Sequence, residues 1–216
     1  WYENDNGTWG VAAGDGTAAL SDSVLAVRLG DKEVRASEPC QRSARREEGR
    51  DDMGAYVRLK VVLAGLPHLT ELVWSATLRP DAAYAAISVS ARLASDAPGS
   101  LQSIEVSNFS GDSSIDFGSV PASWVCFRDS GHQGGTAVAP FLAGEQGSQS
   151  SPATLLVHDG HAQQSLLLGW LSWAESNPEL YLAGSRPGGL MEASARCVYH
   201  GPGLDQATTE PLLISF

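Results

Sequence analysis

Apolar and polar residues alternate along most of this chain. In "ELVWSATLRP" (71–80), Leu72, Trp74, Ala76 and Leu78 share one parity, and in "YAAISVSARLAS" (84–95) Ile87, Val89, Ala91 and Leu93 do the same. Successive side chains of a strand point to opposite faces, so the pattern predicts half-buried antiparallel strands. A 3.6-residue apolar period is nowhere sustained over more than about ten residues, as a helix would need. One segment breaks the alternation from the other side. "SLLLGWLSW" (165–173) is apolar on both parities, with Leu166, Leu168 and Trp170 on one face and Leu167, Leu171 and Trp173 on the other. A strand of that kind belongs in the middle of a large sheet covered on both sides, or at a seam against another domain.

Turn chemistry divides the pattern. Asp15-Gly16, Gly30-Asp31 and Asp159-Gly160 are favoured tight-hairpin dipeptides, and each stands between two apolar runs. The spacing of such signals predicts about 13 to 15 strands, too many for a minimal sandwich and right for a large one. Two stretches stand outside the rhythm. Residues 37–52, "SEPCQRSARREEGRDD", read as a solvated loop or one short helix with compensating charges. Residues 127–153, rich in Gly, Ser, Gln and Ala, read as a long loop, the kind of segment that tends to carry contacts. No repeat of fixed period is visible.

Composition narrows the classes. The 216 residues are 43% hydrophobic and 18% charged, enough for a substantial core. The 14 basic and 25 acidic residues give a formal net charge of −11 and form no basic stripe, which argues against nucleic acid and is compatible with neutral ligands such as sugars. No apolar stretch reaches the roughly 18 residues of a membrane helix, so no membrane partner is expected. The first residues, "WYENDNGTWG", show no signal peptide and no initiator Met, so the compartment is not read from this terminus. Cys40, Cys126 and Cys197 are odd in number and far apart, which suits small buried residues better than a disulfide framework or a zinc cluster, with one disulfide left open for a secreted chain. The sequons Asn6-Gly7-Thr8 and Asn108-Phe109-Ser110 matter only on a secretory route.

The chemistry-bearing residues form no catalytic signature. There is no G-x-S-x-G, no P-loop and no dinucleotide fingerprint, so no catalytic residue, cofactor or metal ligand is assigned. His158 and His161 flank Asp159-Gly160 and would face each other across a two-residue hairpin, but no spacing suggests a third metal ligand. Of the six tryptophans, Trp74 and Trp170 sit in alternating apolar runs and are expected in the core, whereas Trp124 and Trp173 stand beside loops where an indole can meet a ligand or another domain.

Four segments carry a resemblance. "NGTWGV" (6–11) resembles the first strands of the amino-terminal domain of glycoside hydrolase family 36 α-galactosidases and their raffinose-synthase-like relatives. "SWVCFRDSGHQGG" (123–135) resembles a Ser-Trp strand and Gly-containing loop there, and "SLLLGWLSW" is similar to the family's "LxxGFLS" strand. "GPGLDQATTEPLLISF" (201–216) resembles its closing "G-x-x-L-x-x-G-E-x-L-x-S-E-x-L-x-I" stretch. Departures are Asp205 and Gln206 where the family tends to Pro-Gly-Glu, and Trp170 in place of Phe.

The resemblance implies an all-β fold, a large antiparallel β-sandwich of the supersandwich, galactose-mutarotase-like kind, as a single domain over 1–216. It implies a catalytic (β/α)8 barrel after residue 216 as the main partner, with galactosides or other sugars as ligand and homo-oligomer contacts as a further role. The family's two catalytic aspartates lie on that barrel, so this chain inherits neither. The implied function is a non-catalytic domain that supports the barrel and shapes the active-site mouth. Its contact candidates are Trp124, Asp129, His132, Gln133 and Trp173. The residues alone leave two other classes open: an independent carbohydrate-binding, lectin-like sandwich, and a structural adhesion domain.

Overall fold

The structure is a computed structural model that describes residues 1–16, 19–109, 115–117, 124–129, 136–140, 147–184, 191–201 and 203–216. It contains strands and no helix among them. The strands are β1 (Tyr2–Glu3), β2 (Thr8–Ala12), β3 (Ala19–Val24), β4 (Ala26–Leu29), β5 (Lys32–Arg35), β6 (Gln41–Asp51) and β7 (Gly54–Ala64). They continue as β8 (Leu69–Leu78), β9 (Ala85–Leu93), β10 (Leu101–Phe109), β11 (Ile115–Asp116), β12 (Trp124–Asp129) and β13 (Thr136–Pro140). The last are β14 (Gly147–Ser151), β15 (Thr154–Asp159), β16 (Gln164–Trp170), β17 (Asn177–Gly184), β18 (Met191–Val198), β19 (Gln206–Thr208) and β20 (Leu212–Ser215).

These form a large antiparallel β-sandwich. One sheet has six strands in the order β14-β17-β18-β10-β4-β5, and the other runs β13-β12-β15-β16-β20-β9-β8-β7-β6 with β19 beside β9. A smaller sheet, β1-β2-β3-β11, adjoins them. The core between the large sheets takes Val27, Ile104, Leu180, Ala195 and Cys197 from one and Leu63, Trp74, Ile87, Val89, Leu155, Leu166, Leu168 and Ile214 from the other. Trp9 ties the small sheet in: its indole N–H donates to the Val106 carbonyl at 3.2 Å, and its ring lies 5.7 Å from that of Trp74. Burying each aliphatic side chain of this core contributes roughly 1.5 to 3 kcal/mol.

The alternating runs form strands as expected, with one limit. Leu72 and Trp74 are fully in the core, but Leu78, on the same parity at the last position of β8, is exposed. "SLLLGWLSW" lies in the interior of the ten-stranded sheet, between β15 and β20. Leu166, Leu168 and Trp170 enter the core. On the outer face Leu167 is half-buried, in register with Leu156 and Phe127, which are half-buried too. The strand ends at Trp170, and Leu171 and Trp173 stand exposed beyond it.

The structure corrects several expectations. The strand number is twenty among the described residues rather than 13 to 15, because short edge strands carry little apolar signal. Residues 41–51 are neither loop nor helix but β6, paired along its whole length with β7 from Gln41↔Ala64 to Asp51↔Gly54. As an edge strand wet on both faces, β6 shows no hydrophobic alternation, and its charges guard the open edge. Its ion pairs are Arg45–Glu47 and Arg46–Glu48, each joining i and i+2 on one face. The 127–153 stretch includes the end of β12 together with β13 and β14. Asp159 and Gln164 close a four-residue loop, so His158 faces Ser165, to which its Nδ1 is hydrogen-bonded at 2.9 Å, and not His161.

Candidate functional site

Leu171 to Ser176 connect β16 of the larger sheet to β17 of the other, and this connection carries the most exposed indole of the molecule's described residues. Trp173 is 56% exposed although it follows an apolar run. Two contacts hold it there. Its Nε1–H donates to the Pro152 carbonyl at 3.2 Å, and the connection is fastened from below by Glu210. Glu210, only 6% exposed, accepts the Ser172 hydroxyl and, at 2.9 Å, the Glu175 backbone N–H. Beneath lie Cys197 and Tyr199. Burial pushes the Cys197 thiol up to about 11 and the Tyr199 phenol well above its ordinary value.

Pro152 stands where the chain crosses from β14 to β15. The Ser151 hydroxyl shapes that crossing by accepting the backbone N–H groups of Ala153 (3.2 Å) and Thr154 (3.1 Å). Pro152 also lines a cavity of about 600 Å³ together with Ser150, Tyr181 and Ser194. Its charged wall is the Arg196–Glu179 ion pair at 2.6 Å. Tyr181 is 37% exposed and in register with Ser150 and Ser194 on the outer face of the six-stranded sheet. Two aromatic side chains with polar edges thus stand near an open, hydroxyl-lined cavity. Such a surface can stack on an apolar sugar face or pack against another protein surface.

The sequence-derived candidates are divided. Trp124 and Asp129 occupy opposite ends of β12, about 17 Å apart for five strand steps. Trp124 is in register with Asp159, whereas Asp129 lies at the end of β15 where Thr154 begins, the end at which Trp173 sits. His132 and Gln133 lie outside the described residues, as do the side chains of Trp124 and Asp129. Glu210, Pro152 and Tyr181 were not singled out by sequence. Tyr181 was legible: in "NPELYLAG" Leu180 and Leu182 point inward, so the aromatic between them faces out. Glu210 carried no such signal, because its partners lie 35 and 38 residues away.

Comparison with known proteins gives a fold relationship. No family model matches the chain, and no curated protein sequence matches it. Solved structures do match, among them the glycoside hydrolase family 36 α-galactosidase AgaA from Geobacillus stearothermophilus, with a TM-score of 0.53 at 10% sequence identity. The match covers 99% of this chain and 32% of that one, so the chain spans about a third of the length of this structural neighbour. The likeness establishes a shared all-β sandwich fold.

Proposed function

We propose that this chain acts as a non-catalytic β-sandwich domain of an α-galactosidase-like glycoside hydrolase. In this role it braces a catalytic barrel of the same parent chain, helps to shape the mouth of its active site and contributes contacts between copies. The observation that carries the reading is the match of 99% of the chain to one third of an α-galactosidase. The outward row Phe127–Leu156–Leu167 supports it, because apolar side chains on the wet face of a sheet suit a contact with further structure. The parent reaction would be retaining hydrolysis of terminal α-galactosides on the barrel's own carboxylates. Deleting residues 1–216 from the full-length gene product tests the role. The remainder should lose solubility or melt at lower temperature and hydrolyse α-galactosides more slowly. A remainder with unchanged melting and unchanged kcat/KM refutes the bracing role.

A second reading has its own observation. Trp173 and Tyr181 near the Pro152 cavity offer an aromatic surface to a sugar, which suits an independent carbohydrate-binding module. Titration of the isolated chain with galactose and galactobiose separates the two: saturable binding lost in Trp173→Ala favours the module.

A further inference from the structure

The outer face of the larger sheet carries a second polar feature. Register places Arg45, Lys60, Ser75 and Ser88 in one row across β6, β7, β8 and β9, and Val62, Val73, Ser90 and Thr208 in the next. Arg45, Arg58 and Lys60 stand over a depression of about 230 Å³ whose only carboxylate among the described residues is Glu47. In a chain of formal net charge −11, this is a local inversion of sign. The depression adjoins a second of about 280 Å³, with which it shares Ser90 and Thr208 and whose lining adds Arg92, Glu71 and Glu175. The two make one trough across five strands, roughly 19 Å at strand spacing.

The cations are placed rather than loose. Arg58 donates through Nε to the Thr77 hydroxyl at 3.0 Å and lies over the Tyr56 ring at 4.7 Å. Arg45 is paired with Glu47 at 2.7 Å. The side chain of Lys60, half-buried between them, makes no hydrogen bond or ion pair with any described residue. On the floor the Ser75 and Ser88 hydroxyls are joined at 2.8 Å, and the Ser75 hydroxyl also reaches the Ser88 carbonyl at 3.4 Å, so what the pair presents outward is chiefly its oxygen lone pairs. No aromatic side chain lines the trough among the described residues. A neutral sugar or an unstacked base would want such a ring. Charge and hydroxyls are what the trough offers.

We infer that this trough binds an acidic oligosaccharide, with a carboxylate or sulfate group at Lys60 and Arg58 and sugar hydroxyls along Ser88, Ser90 and Thr208. The inference does not depend on the bracing role proposed above, since it reads binding and not hydrolysis.

The probe is trigalacturonate, titrated calorimetrically into the chain, with its methyl ester, inorganic sulfate and a short oligo-dT as comparisons. Trigalacturonate should bind saturably and more weakly as salt is raised. Lys60→Gln and Arg58→Gln should each weaken it roughly tenfold. Arg50→Gln, an exposed change on β6 outside the trough, should leave binding and melting as they are. The assignment is overturned if trigalacturonate does not bind, if the methyl ester binds equally well, or if Lys60→Gln binds normally. Equal affinity for inorganic sulfate would overturn the oligosaccharide, and equal affinity for oligo-dT would transfer the trough to nucleic acid.

Discussion

Glu210 accepts the backbone N–H of Glu175 through Oε1 at 2.9 Å, while its other oxygen takes the Ser172 hydroxyl. One buried carboxylate therefore fastens the connection that presents Trp173. The link is long in sequence and short in space, and it converts an apolar loop into a fixed surface.

Removing that carboxylate should loosen the connection before it unfolds the sandwich. Glu210→Ala leaves the Glu175 N–H and the Ser172 hydroxyl without their acceptor, at a cost of about 1 to 3 kcal/mol. Hydrogen exchange over residues 171–176 should accelerate markedly while the strands stay protected. Unchanged exchange there would show that Glu210 does not hold the loop.

Neighbouring leucines of β16 should respond differently. Leu168 is in the core, and Leu168→Ala should lower unfolding free energy by about 2 to 5 kcal/mol, with Leu168→Asp failing to fold. Leu167→Ala, on the half-covered outer face, should cost clearly less in the isolated chain. Equal losses in urea melts would mean that both faces are equally buried.

The doubly apolar "SLLLGWLSW" was legible as an interior strand because it leaves neither parity polar. Where it ended was not legible, since Leu171 and Trp173 are as apolar as Leu167, and the Glu210 contacts that fasten the residues beyond the strand come from far along the chain. β6 was misread for the converse reason: a strand wet on both faces has no apolar parity, so only its pairing with β7 defines it. At the site, Trp173 was legible as an exposed indole beside a loop, and Tyr181 could have been. Ser194 and Ser150 reach the same cavity through the pairing of β18 and β14 with β17, and Pro152 through the crossing that follows β14.

The buried thiols give a pH signature. Burial raises Cys126 and Cys197 to about 11 from a reference value of 9.0. The folded state thus holds these protons more tightly than the unfolded chain. Their contribution to stability is complete below pH 9 and is lost as pH rises toward 11, at about 1.4 kcal/mol per pH unit per thiol. Urea midpoints should fall between pH 9 and 11, and Cys126→Ala should make that fall shallower. A slope identical to that of the unsubstituted chain would contradict the assignment.

Gly7 adopts φ +70° with the carbonyl oxygen of Ala36 only 2.3 Å from where a Cβ would stand. The left-handed backbone alone costs a side chain about 1 to 2 kcal/mol, and the collision adds to it. Gly7→Ala should therefore lower the melting temperature by several degrees. Gly14→Ala, with open space around it and no positive φ, should change it far less.

In the proposed role this sandwich serves a glycosidase without being one. Hydrolysis of p-nitrophenyl α-galactoside should be measured for residues 1–216 alone beside the full-length gene product. Turnover is expected from the full-length protein and none from the isolated chain. Turnover by residues 1–216 themselves, or none by the full-length protein, would contradict that role.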